Sequence, residues 1–171
     1  SGVTESACGT AQQQMGPFYC PRDSKIYLDT SFFREIETRF RGCSGKSACR
    51  FSQAYVIAHE YGHHVQNLLG ILPKVQQMQR GMDRVEQNAY QVRVELQADC
   101  FAGLWANQER GYLRRTGKQD YLEPGDIDAA MQTATAIGDD TLQKAAGRRV
   151  VPDAFTHGSA EQRKRWFMTG F

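Results

Sequence analysis

The run His59-Glu60-Tyr61-Gly62-His63 restricts what this chain can become more than any other stretch. Its flanks, Ala54, Tyr55, Ile57, Ala58, Val65, Leu68 and Leu69, are apolar, and Glu60 is the only formal charge between Phe51 and Pro73. The pattern predicts a helix from Phe51 to about Leu69, capped by Ser52, stopped by Gly70 and Pro73, apolar on most sides and buried. A lone carboxylate in such a helix is expensive unless it is paired or linked to a metal. Residues four apart on a helix are separated by ~400° of turn and ~6 Å of rise, so His59 and His63 share one face. Two imidazoles can then meet one zinc ion at Zn–N distances of ~2.0–2.1 Å. Glu60, beside them, reaches a water on the ion without becoming a ligand. Gly62 inside a helix costs up to ~1 kcal/mol relative to Ala, so close approach of another backbone or of a substrate is expected there. The competing reading is a metal-free core helix whose histidines bond to polar neighbours.

Catalytic zinc needs a third protein ligand and an open fourth position. The metzincin pattern would require Gly and His at the positions held by Gln66 and Leu69, so the third ligand must come from elsewhere. Glu95-Leu96-Gln97-Ala98-Asp99 is the best supplier. Glu95 and Asp99 are again four apart, among Val94, Leu96, Ala98, Phe101, Ala102, Leu104 and Trp105. Glu95 would bind zinc, and Asp99 would accept a hydrogen bond from the far ring nitrogen of His59 or His63 and so fix its tautomer. An ordinary solvated acidic face is the alternative. His64 points about 100° away from His63 and reads as packing.

The rest of the chain supplies the frame. Its 171 residues fit a single domain, 1–171, long enough to bury a core. The net charge of +2 is small, and the basic clusters Arg114, Arg115, Lys118 and Arg148, Arg149 are short, which argues against a nucleic-acid partner. No apolar run approaches the ~18–20 residues that span a bilayer. The segment through Pro21 has turn composition, and Lys25 to Asp29 is a short strand candidate whose edge can carry an extended peptide. Thr30 or Ser31 caps a helix to about Phe40. A long helical pattern runs from Lys74 to about Arg110, with Gly81 as an interruption and Gly111 as its end. Glu123 to Asp126 starts a helix reaching about Ala136, Asp139 or Asp140 caps a shorter one to Ala146, and Ser159 with Gln162 forms a capping box for the last. The fold class is α+β, mainly α, with a small sheet. Cys8 with Cys20, and Cys43 with Cys49, each close a small ring on an irregular segment. Two disulfides there imply an oxidising, extracytoplasmic compartment, and reduced cysteines or a second metal site are the alternatives. Cys100 reads as a buried free thiol.

Ala58-His59-Glu60-Tyr61-Gly62-His63-His64-Val65-Gln66-Asn67 followed by Glu95 to Gly103 resembles the bacterial putative neutral zinc metallopeptidase family of the YpfJ type. Gly16 to Pro21, Ala136 to Asp140 and Thr156 to Arg163 match it too, so the resemblance covers nearly the whole chain. It implies a zincin-like domain in which the His-Glu-x-x-His helix packs on a long Glu-x-x-x-Asp helix. The Glu-x-x-x-Asp pattern is similar to that of gluzincins and supports Glu95 as the ligand. By the same likeness His157 is the candidate for stabilising the oxyanion, with a structural or surface role equally open. Members of the family typically carry an N-terminal membrane segment, so membrane attachment would come through a segment ahead of Ser1. The expected activity is zinc-dependent cleavage of internal peptide bonds in a peptide or protein, with one zinc ion on His59, His63 and Glu95 and with Glu60 as general base. The rival is a zinc-binding interaction module without turnover.

Overall fold

The computed structural model describes residues 2–12, 16–38, 46–117, 125–136, 138, 150–152 and 155–171. Two antiparallel hairpins open the chain. In the first, β1 (Val3–Ser6) pairs with β2 (Gly9–Gln12), Val3 opposite Gln12. In the second, β3 (Phe18–Cys20) pairs with β4 (Lys25–Tyr27), Phe18 opposite Tyr27. Six described helices follow: α1 (Ser31–Thr38), α2 (Lys46–Leu68), α3 (Ile71–Gln79), α4 (Arg84–Thr116), α5 (Asp126–Ala136) and α6 (Ala160–Gly170). The fold is α+β and mainly α, as expected.

The segment before Pro21 is not all turn: it holds three short strands. Strands this short, rich in Ser, Thr and Gln, show no hydrophobic period. A disulfide between Cys8 and Cys20 pins the first hairpin's turn to β3. Asp23 adds to the tie by accepting hydrogen bonds from the Ala7 and Lys25 backbone and the Tyr27 hydroxyl. Cys49 is also disulfide-bonded. Cys43 and the helix expected over 139–146 lie outside the described residues. Cys100 is free, but half-exposed rather than buried.

Several boundaries move, each for a local reason. Asp29 accepts the Ser31 backbone N–H at the start of α1. α2 begins at Lys46, so Ser52 lies fully buried inside the helix instead of capping it. Gly70, at φ 74°, separates α2 from α3, and Pro73 sits in the first turn of α3, where no amide hydrogen is needed. The interruption near Gly81 is present, followed by a capping box of Asp83 and Glu86 that starts α4. Gly111 lies inside α4, and the left-handed Gly117 ends it. The Ser159 and Gln162 capping box opens α6 as expected.

α4 packs against both α2 and α6, and α5 closes against α2. The core between them mixes large side chains (Tyr55, Phe51, Phe167) with Ala102, Ala106, Ala129, Ala130 and Ala134. Small residues let the helix axes approach. A Cβ on Gly62 would lie 3.0 Å from the Ala98 carbonyl oxygen and 3.1 Å from its Cα, so α4's backbone uses the space that Gly62 leaves. A Cβ on Gly103 would overlap the Phe167 carbonyl of α6.

α2 is not buried on most sides. Its buried stripe is Ser52, Tyr55, Val56, His59, Glu60, His63 and Gln66, at helical spacing, whereas Ile57, Tyr61 and Leu68 are exposed. The C-terminal half therefore turns its polar residues inward and several apolar ones out. Leu104 and Trp105 of α4 are likewise exposed. No described helix is long and apolar enough to cross a membrane.

Candidate metal centre

The inward stripe of α2 meets α4 at Ala98, and the contact at Gly62 brings the two helices close enough for their side chains to converge. His59 Nε2 lies 3.1 Å from Glu95 Oε2, and His63 Nε2 lies 3.4 Å from Glu95 Oε1. One donor atom from each of the three residues falls within 4.8 Å of the others. Donors arranged tetrahedrally at ~2.1 Å from a zinc ion stand ~3.4 Å apart. The set is therefore the right chemistry, two imidazoles and a carboxylate, at the right spacing for one cation.

The outer ring nitrogens are also held. His59 Nδ1 is 2.8 Å from Asp99 Oδ1, and His63 Nδ1 is 2.8 Å from Gln66 Oε1. Gln66 in turn donates to the Val94 carbonyl at 2.8 Å and to Gln97 at 2.9 Å. Glu95 accepts a hydrogen bond from Gln91 at 3.1 Å. Asp99 is fully buried and takes two more hydrogen bonds, from the Tyr55 hydroxyl at 2.6 Å and from Arg163 at 3.1 Å. Such outer partners fix ring orientation and tautomer, so both Nε2 atoms face the same point. His64 turns away from this point and bonds to the Tyr19 hydroxyl at 3.0 Å.

Burial and charge oppose each other here. Burial works against charge on His59, but Asp99 and the hydrogen bonds to Asp99 and Glu95 raise its pKa to about 10. Burial would raise Glu95, yet the hydrogen bonds from His59 and His63 hold it well below the ordinary carboxylate range. Asp99 is likewise lowered against burial, by Arg163 and His59. Burial pushes Tyr55 well up, so it stays a neutral donor.

The cluster lines a cavity of about 420 Å³. Glu60 is buried and borders it, and no described residue is within hydrogen-bonding reach of its carboxylate. His157 is exposed and lies on the same lining, its Nδ1 3.0 Å from the Thr156 hydroxyl. Among the described residues the strand bordering the cavity is β3, through Phe18 and Tyr19; Lys25 to Asp29 are not on its lining. Arg163, Tyr55 and Gln66 carry no motif that marks a role. Only Arg163 left a usable signal: it falls on the stripe Ala160, Arg163, Phe167, a cation on the buried face of α6.

The description "putative neutral zinc metallopeptidase" names the family whose model matches residues 1–171, the entire chain. The chain belongs to that family. An uncharacterised protein of Escherichia coli (strain K12), YpfJ, is 49% identical over 170 residues, covering 99% of this chain and 55% of its own length. Uncharacterised proteins of Mycobacterium bovis and Mycobacterium tuberculosis, Mb2605 and Rv2575, are 46% identical over 179 residues, covering all of this chain and 56% of their own. The chain thus spans about half the length of these relatives. No solved structure matches it. The family's name implies zinc, and His59, His63 and Glu95 form a group that can hold it.

Protonation gives one test of that group. In metal-free protein the His59 pKa of about 10 keeps Nε2 protonated at pH 7, whereas a ligand must offer a lone pair. Zinc binding is therefore expected to release about one proton at pH 7, with affinity rising with pH up to the His59 pKa. Calorimetric titration in buffers of different ionisation enthalpy reads this directly. The sign for stability is the reverse. A pKa raised above the unfolded value stabilises metal-free protein fully below pH 6.5, and that contribution fades as pH climbs toward about 10.

Proposed function

We propose that this chain is a single catalytic domain of a zinc-dependent endopeptidase. The observation that carries the reading is one cavity in which two imidazole nitrogens and the Glu95 carboxylate converge and which Glu60, without a partner among the described residues, also borders. His59, His63 and Glu95 would hold the ion. When bound, zinc supplies a Lewis acid that makes water nucleophilic near neutral pH. Glu60 takes the proton of the attacking water and passes it to the departing amine. His157 is the proposed donor to the oxyanion. If the Thr156 hydroxyl donates to Nδ1, the ring's proton sits on Nε2, which can then donate to the developing charge.

The cavity also favours internal bonds over a free C-terminus. Among the described residues Arg163 is the only Lys or Arg on its lining and is committed to Asp99 and Tyr55, so no other described cation is there to clamp a terminal carboxylate. The Cys8–Cys20 disulfide and the bonded Cys49 support an extracytoplasmic location.

Chelation tests the reading. Removing zinc is expected to abolish cleavage of a broad peptide mixture, and one equivalent of zinc is expected to restore it. Stoichiometric zinc with no cleavage would favour an interaction module instead.

A further inference from the structure

Beyond the candidate ligands, Glu60, His157 and Arg163, the described lining of the cavity is uncharged. Leu72, Val75, Gln76 and Gln79 of α3 all border it. They sit at i, i+3, i+4 and i+7, one stripe of the helix. α3 buries no residue at all, so this stripe is not spent on the core: Leu72 and Val75 are half-exposed. From the N-terminal half come Pro17, Phe18 and Phe32, also half-exposed. That side is held firmly. Phe18 stacks on Tyr27 at 5.1 Å, Asn67 donates to the Tyr19 hydroxyl at 3.0 Å, and the disulfide ties Cys20 to Cys8. Apolar groups left half-exposed beside a reactive centre gain by contact with an apolar ligand group. An anionic side chain entering beside α3 would lose its water with no described cation free to meet it, because Arg163 already serves Asp99, and a cationic one would meet no carboxylate on the stripe itself.

We infer that the α3 stripe, together with Phe18 and Phe32, forms a subsite for an uncharged apolar or aromatic substrate side chain next to the bond to be cleaved. This rests on the peptidase reading, and it assigns the substrate class: peptide segments carrying Leu-, Met- or Phe-like residues, with Asp, Glu, Lys and Arg rejected. Val75 is a specificity-determining position, since its side chain can change on a helix that contributes nothing to the core.

Binding separates this inference from turnover. The probes are fluorescently labelled, end-blocked hexapeptides identical but for one central residue, X, set to Leu, Phe, Asp or Lys. Their affinities for zinc-loaded Glu60→Gln protein are measured by anisotropy. The Leu and Phe peptides are expected to bind about 10–100-fold more tightly than the Asp and Lys ones. Adding Val75→Lys, with zinc content and circular dichroism unchanged, is expected to erase the preference for Leu over Asp. Leu72→Ala is expected to weaken Leu binding while leaving the weak Asp binding as it was. Equal affinity across X, tighter binding of a charged peptide, or an order indifferent to Val75→Lys would overturn the subsite. If the apolar order holds but native zinc-loaded protein cleaves none of the peptides, the peptidase reading falls and the subsite stands. If cleavage occurs without the order, the subsite alone falls.

Discussion

Glu60→Gln is expected to lower peptide cleavage by about 10²–10⁴-fold, the range that general-base catalysis contributes, with zinc content and fold unchanged. The substitution is nearly isosteric. Glu60 makes no hydrogen bond to a described residue, so the amide strands no partner. It also removes a buried carboxylate that no described cation neutralises, so stability should hold or rise slightly. The loss should fall on kcat rather than KM, because proton transfer is a transition-state contribution. The measurements are steady-state kinetics on a cleaved peptide, with metal analysis of the same sample. Cleavage unchanged in the variant would remove Glu60 from the chemistry.

Asp99→Asn is expected to act in two ways at once. Asp99 is fully buried, and its Oδ1 faces His59 Nδ1, the Tyr55 hydroxyl and Arg163. Removing one partner of a buried ion pair typically costs 3–5 kcal/mol, about what is expected here, because Arg163 is left charged in the interior. Zinc affinity should also fall about 10–100-fold, the usual effect of losing the partner that orients a metal-binding histidine. The two effects separate in a double variant. Adding Arg163→Met removes the stranded cation and should recover much of the stability but not the metal affinity. Denaturant unfolding of metal-free protein and competitive zinc titration measure the two quantities. Full recovery of affinity in the double variant would show that Asp99 acts only through Arg163.

Much of the fold was open to a reader of the chain, and the failures share a cause. A capping box and a glycine inside a helical pattern are local signals, so the start of α6 and the break near Gly81 could be read directly. The start of α2 and the end of α4 could not. Ser52 has a capping residue's chemistry but is buried in mid-helix, and Gly111 is tolerated within a long packed helix. The apolar flanks of the His-Glu-x-x-His run suggested a buried helix, whereas Ile57, Tyr61 and Leu68 face out. The inward face is held by polar residues whose partners lie on α4 and α6, and hydrophobic pattern carries no information about such partners.

What the sequence determined by itself is what helical geometry determines: two histidines one turn apart with a glutamate beside them, and a second Glu and Asp with the same spacing. Their residue types and offsets suffice to name a zinc-compatible donor set. Only tertiary structure decided that Glu95 reaches both Nε2 atoms, that Asp99 serves His59 while Gln66 serves His63, and that Arg163 anchors Asp99 from 64 residues away. A hydrogen bond between distant residues depends on how helices cross, and that crossing is set here by the absence of a Cβ at Gly62, where α4's backbone passes.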